Sequence, residues 1–468
     1  MRLSQFVLIF LLALMTRILN LLVIEDIQTF AFIEDSRMYW DIGSCINEFG
    51  YFCNFSGEGF GLETERVPLY PLFISIHLHF WESAVISVLV SQAIIDSINA
   101  MLVALLGSRF GSWVGIISGI VYAISHNFIL HSSLILPETF AIFLFLSFML
   151  LTLNLRQFAI RSVLGWLVIG LLTGVFAGLL VLSKIVFQFV VLVGMVVGIA
   201  SVKGKFCRLS YIVMFVIGFG ASLFPLVERN IKKFDSYSLS SQTGTHALFW
   251  VVGNCISLDE GSSFSSVTKP LKDAFYDDLV SRGIDYQAIS PFELSSLKVG
   301  FAASRAAQLD VDVILKCWSF GAVKSLIAPS LVVDQRIRQL NTGSFYESSG
   351  SGLFDKIYGF VIHNNSVYVA SLIVGSFVSM VSLSLAAVGV VVGLRTSRWD
   401  VLCFLGITGI FLLISGPVGG AKYRILFEPF VLILAAVGAL AVYRYYKRGP
   451  VSQIKLKGID ERETGSSS

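Results

Sequence analysis

The chain contains ten apolar runs, each close in length to a helix that crosses a lipid bilayer. Such a helix needs about 20 mainly apolar residues. In lipid every backbone polar group needs a hydrogen-bond partner within the protein, which only helices and closed β-barrels provide. Because the runs lack the alternating pattern of membrane β-barrel strands, they are predicted to be helices. The sequence therefore predicts an all-α polytopic membrane protein. The predicted spans are 6–24, 84–106, 113–130, 139–155, 163–182, 185–202, 209–227, 367–394, 401–415 and 425–443.

The composition supports this class and excludes others. Apolar residues occupy 55% of the 468 positions, charged residues only 14%, and the mean hydropathy is +0.79. The 34 Lys and Arg nearly balance the 31 Asp and Glu, and they lie scattered between the apolar runs. Because nucleic-acid binding needs a concentrated basic surface, it is excluded. The six cysteines form no CxxC pair and no Cys/His cluster, so no zinc site is predicted, and a divalent metal bound by other residues stays an open alternative.

The basic residues predict the orientation, because Lys and Arg in short loops mark the cytoplasmic side. With the N-terminus inside, every cytoplasmic turn is basic, and the tail after the last span begins with Arg444. An even number of spans therefore leaves both termini in the cytoplasm. The basic residues of the cytoplasmic segments are Arg2, Arg109, Arg156, Arg161, Lys203, Lys205, Arg208, Arg395 and Arg398.

This topology divides the chain into four parts. Residues 1–227 form an N-terminal transmembrane module that includes the first external loop, 25–83. An external soluble or interfacial region follows at 228–366, then C-terminal spans at 367–448. Residues 449–468 form a cytoplasmic tail that is expected to be disordered.

Two apolar stretches of the external parts are expected to lie at the membrane interface. The stretch 68–81 is too short to span. The stretch 311–333 contains Lys316 and Lys324, and a span there would move Arg395 to the outer side.

Four cysteines fall in the external parts, where an oxidising compartment permits disulfides. A short polar stretch separates Cys45 from Cys53, and the sequence predicts a bridge between them. A second bridge, between Cys255 and Cys317, is possible.

The unusual polar residues collect at external helix ends. Asp35 and Tyr39, spaced i and i+4, would share a helical face, and a carboxylate there could accept a proton from a hydroxyl. The alternative is that Asp35 caps a helix. Arg66, with Glu65 beside it, could hold a lipid phosphate or reach the interface as an ordinary anchoring arginine.

Three more charged residues lie at or near external helix ends. Arg17 and Lys184 could face a phosphate or reach the lipid headgroups. Glu138 follows Pro137 at the start of a span, where a carboxylate also complements the helix dipole.

The order of these motifs resembles the GT-C superfamily of membrane glycosyltransferases, in the branch of protein O-mannosyltransferases and lipid A aminoarabinose transferases. The matching motifs are Arg17, Asp35 with Tyr39, Glu65-Arg66-Val67-Pro68, Pro137-Glu138, Glu228-Arg229-Asn230 and Lys422-Tyr423-Arg424. The resemblance implies a GT-C-like bundle of about ten spans, with interfacial helices in the first external loop and a large external region.

The resemblance also implies an activity at the external, periplasmic face of a bacterial inner membrane. A sugar would move with inversion from a polyprenyl-phosphate-linked donor to a hydroxyl of a lipid, glycan or protein. It implies Asp35 as the general base and cations at the donor phosphate, so that no cofactor is needed. The implied phosphate-binding residues are Arg66, Arg229, Lys184 and Arg17; the implied substrate-binding residues are Tyr39, Glu65, Glu138, Asn230, Tyr423 and Arg424.

Two other functions fit the same residues. A transporter or flippase of lipid-linked sugars would bind the headgroups without chemistry, and an assembly factor would use 228–366 as a binding module. In an enzyme, Asp35, Glu138 and Arg229 should converge on one external cavity. In a transporter, the polar residues should line a path through the membrane.

Overall fold

The computed structural model describes residues 1–33, 35–56, 59–155, 162–341 and 353–448. Within these ranges the chain is almost entirely helical, and its strands form one antiparallel hairpin. Two predicted features lie outside the described residues: the tail 449–468 and the cytoplasmic turn with Arg156 and Arg161.

Long apolar helices alternate with short connecting elements. The first part of the chain contains α1 (Leu3–Leu22), α2 (Ile27–Ala31), α3 (Ser36–Phe49), β1 (Cys53–Ser56), β2 (Gly59–Leu62), α4 (Leu69–Phe80), α5 (Ala84–Gly107), α6 (Ser112–Ile124), α7 (His126–Ser132), α8 (Glu138–Asn154), α9 (Val163–Ser183), α10 (Gln188–Ser201) and α11 (Lys205–Phe234). The second part contains α12 (Gln242–Thr245), a π-helical turn (His246–Val252), α13 (Gly253–Glu260), α14 (Phe264–Ser281), α15 (Pro291–Ala306), α16 (Val311–Ile327), α17 (Gln335–Arg338), α18 (Leu353–His363), α19 (Ser366–Thr396), α20 (Arg398–Ser415), α21 (Ala421–Arg424) and α22 (Glu428–Arg448).

Seven helices of the described residues are long and apolar enough to cross a membrane, namely α1, α5, α9, α11, α19, α20 and α22. An eighth span results if α6 and α7, which are bent by 54°, are counted together. The other two predicted spans are shorter apolar helices, Glu138–Asn154 and Ile185–Ser201. All ten predicted runs are thus helical, and the protein is a multi-pass all-α membrane protein as predicted.

The two interfacial predictions fall on helices that are not candidates for full spans. The stretch 68–81 contains α4, which has only 12 residues. The stretch 311–333 contains α16, whose polar residues include Asp312, Lys316 and Lys324. Their location at the interface stays a prediction.

Close helix packing in the bundle depends on glycine. Gly170, Gly174 and Gly178 lie one turn apart along α9 and face α11. A Cβ atom at Gly174 would overlap the backbone carbonyl of Phe215 on α11. Small residues at such spacing let two membrane helices approach until their backbones touch, which maximises van der Waals contact where no hydrophobic force joins helices in lipid.

The helix ends that the topology assigns to the cytoplasm do meet. Arg109, just after α5, donates hydrogen bonds to Asn154 Oδ1 at the end of α8 (2.6 Å) and to Asp400 Oδ1 at the start of α20 (2.9 Å). Three predicted cytoplasmic ends therefore share one side of the bundle. Which compartment that side faces stays a prediction.

The external region after α11 has its own small core. Helix α11 continues past the predicted boundary at 228 and ends at Phe234. Beyond it, apolar side chains of the π-helical turn, α14 and α15 pack together; they are Leu248, Val252, Leu271, Phe275, Leu279 and Ala302.

Both pairs of external cysteines are bridged. Cys45–Cys53 joins α3 to β1, with a Cα–Cα distance of 5.7 Å. Cys255–Cys317 joins α13 to α16, with a Cα–Cα distance of 5.4 Å. The predicted first bridge is confirmed, and the second, which the sequence allowed, is present too.

Candidate active site

Asp35 lies at the position before α3, but its side chain does not cap that helix. Its carboxylate instead meets two cations: Oδ1 lies 3.2 Å from Arg66 Nη2, and Oδ2 lies 3.5 Å from Lys422 Nζ. The side chain is still 40% exposed. The carboxylate is therefore held by charge from two sides and remains accessible to a ligand, which the helix-cap alternative does not account for.

A tight turn over residues 63–66 positions Arg66. The buried Glu63 carboxylate accepts hydrogen bonds from the backbone N–H groups of Glu65 (2.6 Å) and Arg66 (2.8 Å). Its other oxygen accepts one from Asn54 Nδ2 (2.9 Å), which ties the turn to β1. Among the described residues Arg66 forms its ion pair with Asp35 and not with Glu65. Glu65, beside Arg66 in the sequence, therefore does not hold it: Glu63 fixes the backbone and Asp35 holds the guanidinium.

Tyr39 forms a wall of this site, one turn along α3 from Asp35. Its ring packs edge-on against Tyr70 at 5.5 Å, and the Arg66 guanidinium carbon lies 5.5 Å from the ring centre. Burial raises the pKa of the Tyr39 phenol well above its usual value; the charge of Arg66 opposes that shift, and Glu138 and Asp35 add to it. Tyr39 therefore stays protonated at physiological pH and is not a base.

Glu138 and Lys184 form a second ion pair at the same side of the bundle. Glu138 begins α8 and is buried, and Lys184 follows the end of α9; the Nζ–Oε1 distance is 2.6 Å. Glu138 Oε2 is buried too and has no hydrogen-bond partner among the described residues. Lys184 thus points into the protein, contrary to the headgroup alternative.

These charges surround one tyrosine. The Tyr39 phenol responds to the charges of Arg66, Glu138, Asp35 and Lys422, so all four lie within electrostatic range of it. We call Asp35, Tyr39, Arg66, Glu138, Lys184 and Lys422 the outer cluster. Asp35 and Glu138, two of the three residues that the enzyme hypothesis places in one cavity, thus both lie near Tyr39 and Lys422.

Arg229 and Asn230 lie in a neighbouring pocket instead. Asn230 is fully buried; its Oδ1 accepts hydrogen bonds from Arg229 Nε (2.9 Å) and Nη2 (2.6 Å), while its Nδ2 donates to the Ser238 carbonyl (2.7 Å). Asn230 therefore orients Arg229 and is not itself accessible to a substrate. Arg229 also lies over the Phe52 ring, at 5.1 Å from its centre.

The cavity beside Arg229 has a volume of about 580 Å³. Residues from β2, the segment before β1 and α11 line it: Tyr51, Phe52, Gly61, Leu62, Arg229 and Lys233. We call it the hairpin pocket. No described hydrogen bond or ion pair joins Arg229 to Asp35 or Glu138, but the turn at Glu63 adjoins both places, because the Glu63 N–H donates to the Phe52 carbonyl (3.3 Å).

Arg17 does not belong to the outer cluster. It is fully buried, and its guanidinium binds one carboxylate oxygen of Asp96 through Nε (2.9 Å) and Nη2 (2.7 Å). The Tyr122 hydroxyl donates to the other Asp96 oxygen (2.7 Å). An arginine closed in this way reaches neither a donor phosphate nor the headgroups, so both interpretations of Arg17 are corrected. The sequence did not reveal the partner of Asp96.

Arg17 also supports the bend between α6 and α7. The backbone of Ser125 is extended at this bend (φ −67°, ψ 122°). The Ala123 carbonyl there accepts hydrogen bonds from Thr16 Oγ1 (2.9 Å) and from the Arg17 guanidinium. Backbone groups at membrane depth need protein partners, because lipid offers none.

Arg424 is likewise occupied by the protein. Its guanidinium donates to Glu428 Oε2 (3.3 Å), to Ser379 Oγ (2.9 Å) and to the Leu326 carbonyl (3.2 Å), and the residue is buried. It clamps α21 to α16 and α19, so its predicted role at the substrate is corrected. A substrate role for Tyr423, which is half-buried, stays a prediction.

Sequence reasoning missed the role of two residues. Glu63 was visible as an acid three residues before Arg66, a spacing at which a carboxylate can accept backbone N–H bonds. Lys422 stood in the Lys-Tyr-Arg motif, but nothing local shows which of its cations faces the site.

The outer cluster does not suit a divalent cation. No group of three or more His, Cys, Asp or Glu in the described ranges could hold a metal. Asp35 already has two cations within 3.5 Å, and Glu138 Oε1 already accepts a hydrogen bond from Lys184. A metal there would be repelled by three fixed positive charges.

The fold is similar to that of solved membrane glycosyltransferases. No model of a known family matches the chain, and no curated protein does. The likeness appears among solved structures. The oligosaccharyltransferase AglB of Archaeoglobus fulgidus, in complex with an inhibitory peptide and a dolichol-phosphate, superposes with a TM-score of 0.52 at 15% identity, over 97% of this chain and 52% of that one.

Two further structures are similar in the same way. The apo form of the Archaeoglobus fulgidus oligosaccharyltransferase gives a TM-score of 0.51 at 13% identity, over 95% of this chain and 51% of that one. ArnT from Cupriavidus metallidurans, bound to undecaprenyl phosphate, gives a TM-score of 0.38 at 12% identity, over 94% of this chain and 78% of that one. The chain thus spans about half the length of the oligosaccharyltransferase chains, and what is shared at this identity is the fold.

Proposed function

We propose that the protein is a GT-C-type glycosyltransferase that moves a sugar from a polyprenyl-phosphate-linked donor to a hydroxyl acceptor. The observation that carries the proposal is the Asp35 carboxylate, fixed by Arg66 and Lys422 and still 40% exposed. The charge of the turns supports an external location for this side of the bundle, and the resemblance to the GT-C superfamily supports the periplasm of a bacterial inner membrane as the compartment. The dolichol-phosphate in the AglB complex supports a lipid-phosphate donor.

In the proposed reaction Asp35 accepts the proton of the acceptor hydroxyl. The acceptor oxygen then forms a bond to the anomeric carbon, while the bond from that carbon to the donor phosphate breaks. The phosphate leaves with the bonding electrons, and attack from the opposite side inverts the configuration. A base placed in this way contributes about 100- to 10,000-fold to the rate.

The charge balance of the outer cluster supports a donor with a single phosphate. The carboxylates of Asp35 and Glu138 face the cations Arg66, Lys184 and Lys422, which leaves one positive charge in excess. A sugar phosphodiester carries one negative charge and gains more as it leaves. The negative charge on the phosphate is larger in the transition state than in the bound donor. Fixed cations therefore stabilise the transition state more than they stabilise the bound donor.

The hairpin pocket is the proposed second contact for the lipid phosphate. Arg229 is held by Asn230 in a fixed orientation, and Lys233 adds a second cation to the same cavity. An oriented guanidinium can bind two phosphate oxygens at once.

The arrangement of buried polar residues favours an enzyme over a transporter. Gln92, Asp96 and Asn99 follow one face of α5 over about 10 Å. Gln92 accepts a hydrogen bond from Tyr70 (2.7 Å), and Asp96 binds Arg17. These three residues are buried and paired with other protein groups, whereas the groups of a transport path must exchange partners with the substrate.

The test is an assay of the purified chain with a panel of polyprenyl-phosphate sugars. We expect release of polyprenyl phosphate from one of them, dependent on a hydroxyl acceptor. The transporter alternative predicts a different result in sealed proteoliposomes: movement of the intact lipid-linked sugar between leaflets, with no polyprenyl phosphate released. That second result would overturn the proposal.

A further inference from the structure

A second cavity lies at the opposite end of the bundle from the outer cluster. It has a volume of about 620 Å³ and is bounded by the end of α8, by α10 and by the turn between α19 and α20. Its apolar wall includes Leu192, Val193, Val196, Val197 and Leu402. We call it the inner groove. Nothing in the proposed glycosyl transfer uses it.

The apolar wall of the inner groove faces the surroundings of the bundle. Leu192 is 57% exposed and Val196 is 61% exposed, both on α10. In a membrane protein such side chains meet lipid tails. Because α10 is short, the groove it borders is an indentation in the lipid-facing surface, and a volume of this size falls in the range of about 300–1,000 Å³ for small-molecule sites.

The rim of the inner groove is polar and positively charged. Arg398 is exposed and has no hydrogen bond or ion pair within the described residues. Arg109 forms an ion pair with Asp400, and its buried Nε has no hydrogen-bond partner among the described residues. The two arginines against one aspartate leave one positive charge in excess, and Arg398 is the accessible donor of the rim.

The rim also lies at the end where the basic turns meet. Arg109 contacts the start of α20, and Arg395 lies two residues before the turn at Ser397. This is the end predicted to be cytoplasmic, and the cytoplasmic leaflet is the one that presents anionic headgroups to juxtamembrane basic residues.

We propose that the inner groove binds one anionic phospholipid. An acyl chain lies along α10 and Leu402, and the headgroup phosphate accepts hydrogen bonds from Arg398, with Arg109 adding positive charge to the rim. The charge excess favours an anionic headgroup, because a zwitterionic one carries its own cation. The lipid lies between α10 and the turn that joins α19 to α20.

The test is native mass spectrometry of the full chain, released from detergent after titration with phosphatidylglycerol or phosphatidylcholine. We expect one phosphatidylglycerol bound per chain, with an affinity about 10-fold higher than for phosphatidylcholine, the size expected of a hydrogen bond to a charged group. Arg398→Gln should remove most of this preference. Arg395→Gln is the matched control, since it removes an equal charge next to the groove and should keep the preference.

Two further arms identify the source of the signal. Val196→Trp places a bulky ring in the groove at an exposed position that leaves the core unchanged, and it should weaken lipid binding while the unfolding temperature without lipid stays normal. Inorganic phosphate alone should not compete. Equal binding of both lipids, or equal losses from Arg398→Gln and Arg395→Gln, would overturn the proposal, as would full competition by phosphate.

Discussion

Two ion-pair clusters of this protein each contain an Arg–Asp pair and differ in what they leave accessible. In the first, Arg17 and Asp96 are 0% and 1% exposed, and Asp96 also accepts from Tyr122. In the second, Asp35 meets Arg66 and Lys422 at longer distances and is 40% exposed. The first cluster has no oxygen or proton available for a ligand. The second has both, so access and not charge distinguishes a site from a structural pair.

The largest expected effect is on the accessible cluster. Asp35→Asn keeps the shape of the side chain and removes the proton acceptor, so turnover should fall by about 100- to 10,000-fold. Donor affinity should survive, because Arg229 and Lys233 remain. The measurement is the steady-state release of polyprenyl phosphate beside equilibrium binding of the donor.

The matched control is Asp41→Asn, which removes a partly buried carboxylate from the same helix outside the outer cluster. It should leave turnover unchanged. Normal turnover in a well-folded Asp35→Asn protein would show that Asp35 is not the base and would remove the contrast between the clusters.

The closed cluster should respond in stability. Arg17→Met leaves the Asp96 carboxylate buried without its cation, and loss of one partner of a buried pair costs about 3–5 kcal/mol in the free energy of unfolding. Replacing both partners, in Arg17→Met with Asp96→Leu, should recover much of that loss because no uncompensated charge remains. Unfolding in detergent, followed by circular dichroism, measures both.

Arg208→Met serves as the control for a lost arginine, because Arg208 is exposed at the start of α11. Its free energy of unfolding should be near that of the parent protein. If Arg17→Met abolished donor binding without loss of stability, Arg17 would belong to the site after all.

A smaller effect is expected in the hairpin pocket. Arg229→Gln removes a charged contact to the donor phosphate, worth about a 10- to 100-fold loss in donor affinity. Lys232→Gln, which removes an exposed cation on the same helix, is the control. Equal affinities for the two variants would place the phosphate entirely in the outer cluster.

The smallest expected effect is that of metal removal. Because three fixed cations lie in the outer cluster, dialysis against a chelator should leave turnover unchanged within assay error. Restoration of lost activity by a divalent cation would show that the cations of the outer cluster do not suffice.

Much of the fold and part of the site could be predicted from the sequence. Hydropathy locates the helices, and the charge of the turns predicts which end of each helix is cytoplasmic. Together they predicted that Asp35 and Glu138 lie on the same side of the bundle. The bend at Ser125 was not predictable, because neither Pro nor Gly marks it. The bend accounts for one of the three predicted spans that are not single long apolar helices; the other two, Glu138–Asn154 and Ile185–Ser201, are shorter apolar helices.

The errors among the cations share a cause. Arg17 finds its partner 79 residues away, so no local pattern reveals that it is occupied. The pairing of Arg424 with Glu428, in contrast, has the i, i+4 spacing of a helical ion pair and could have been read from the sequence. Distance along the chain thus limits what the sequence reveals about which charges are free.

The pair of Arg17 and Asp96 also has a consequence for biogenesis. A charged residue at the centre of a lone helix, where Asp96 lies in α5, costs about 2.5–3.5 kcal/mol on insertion, and Arg17 adds a second charge between one and two turns before the end of α1. Helix α1 is synthesised before α5, and in the predicted topology the loop 25–83 crosses the membrane between them. We expect α1 to remain next to the insertion machinery until α5 arrives and supplies Asp96, so that the two helices enter the lipid together.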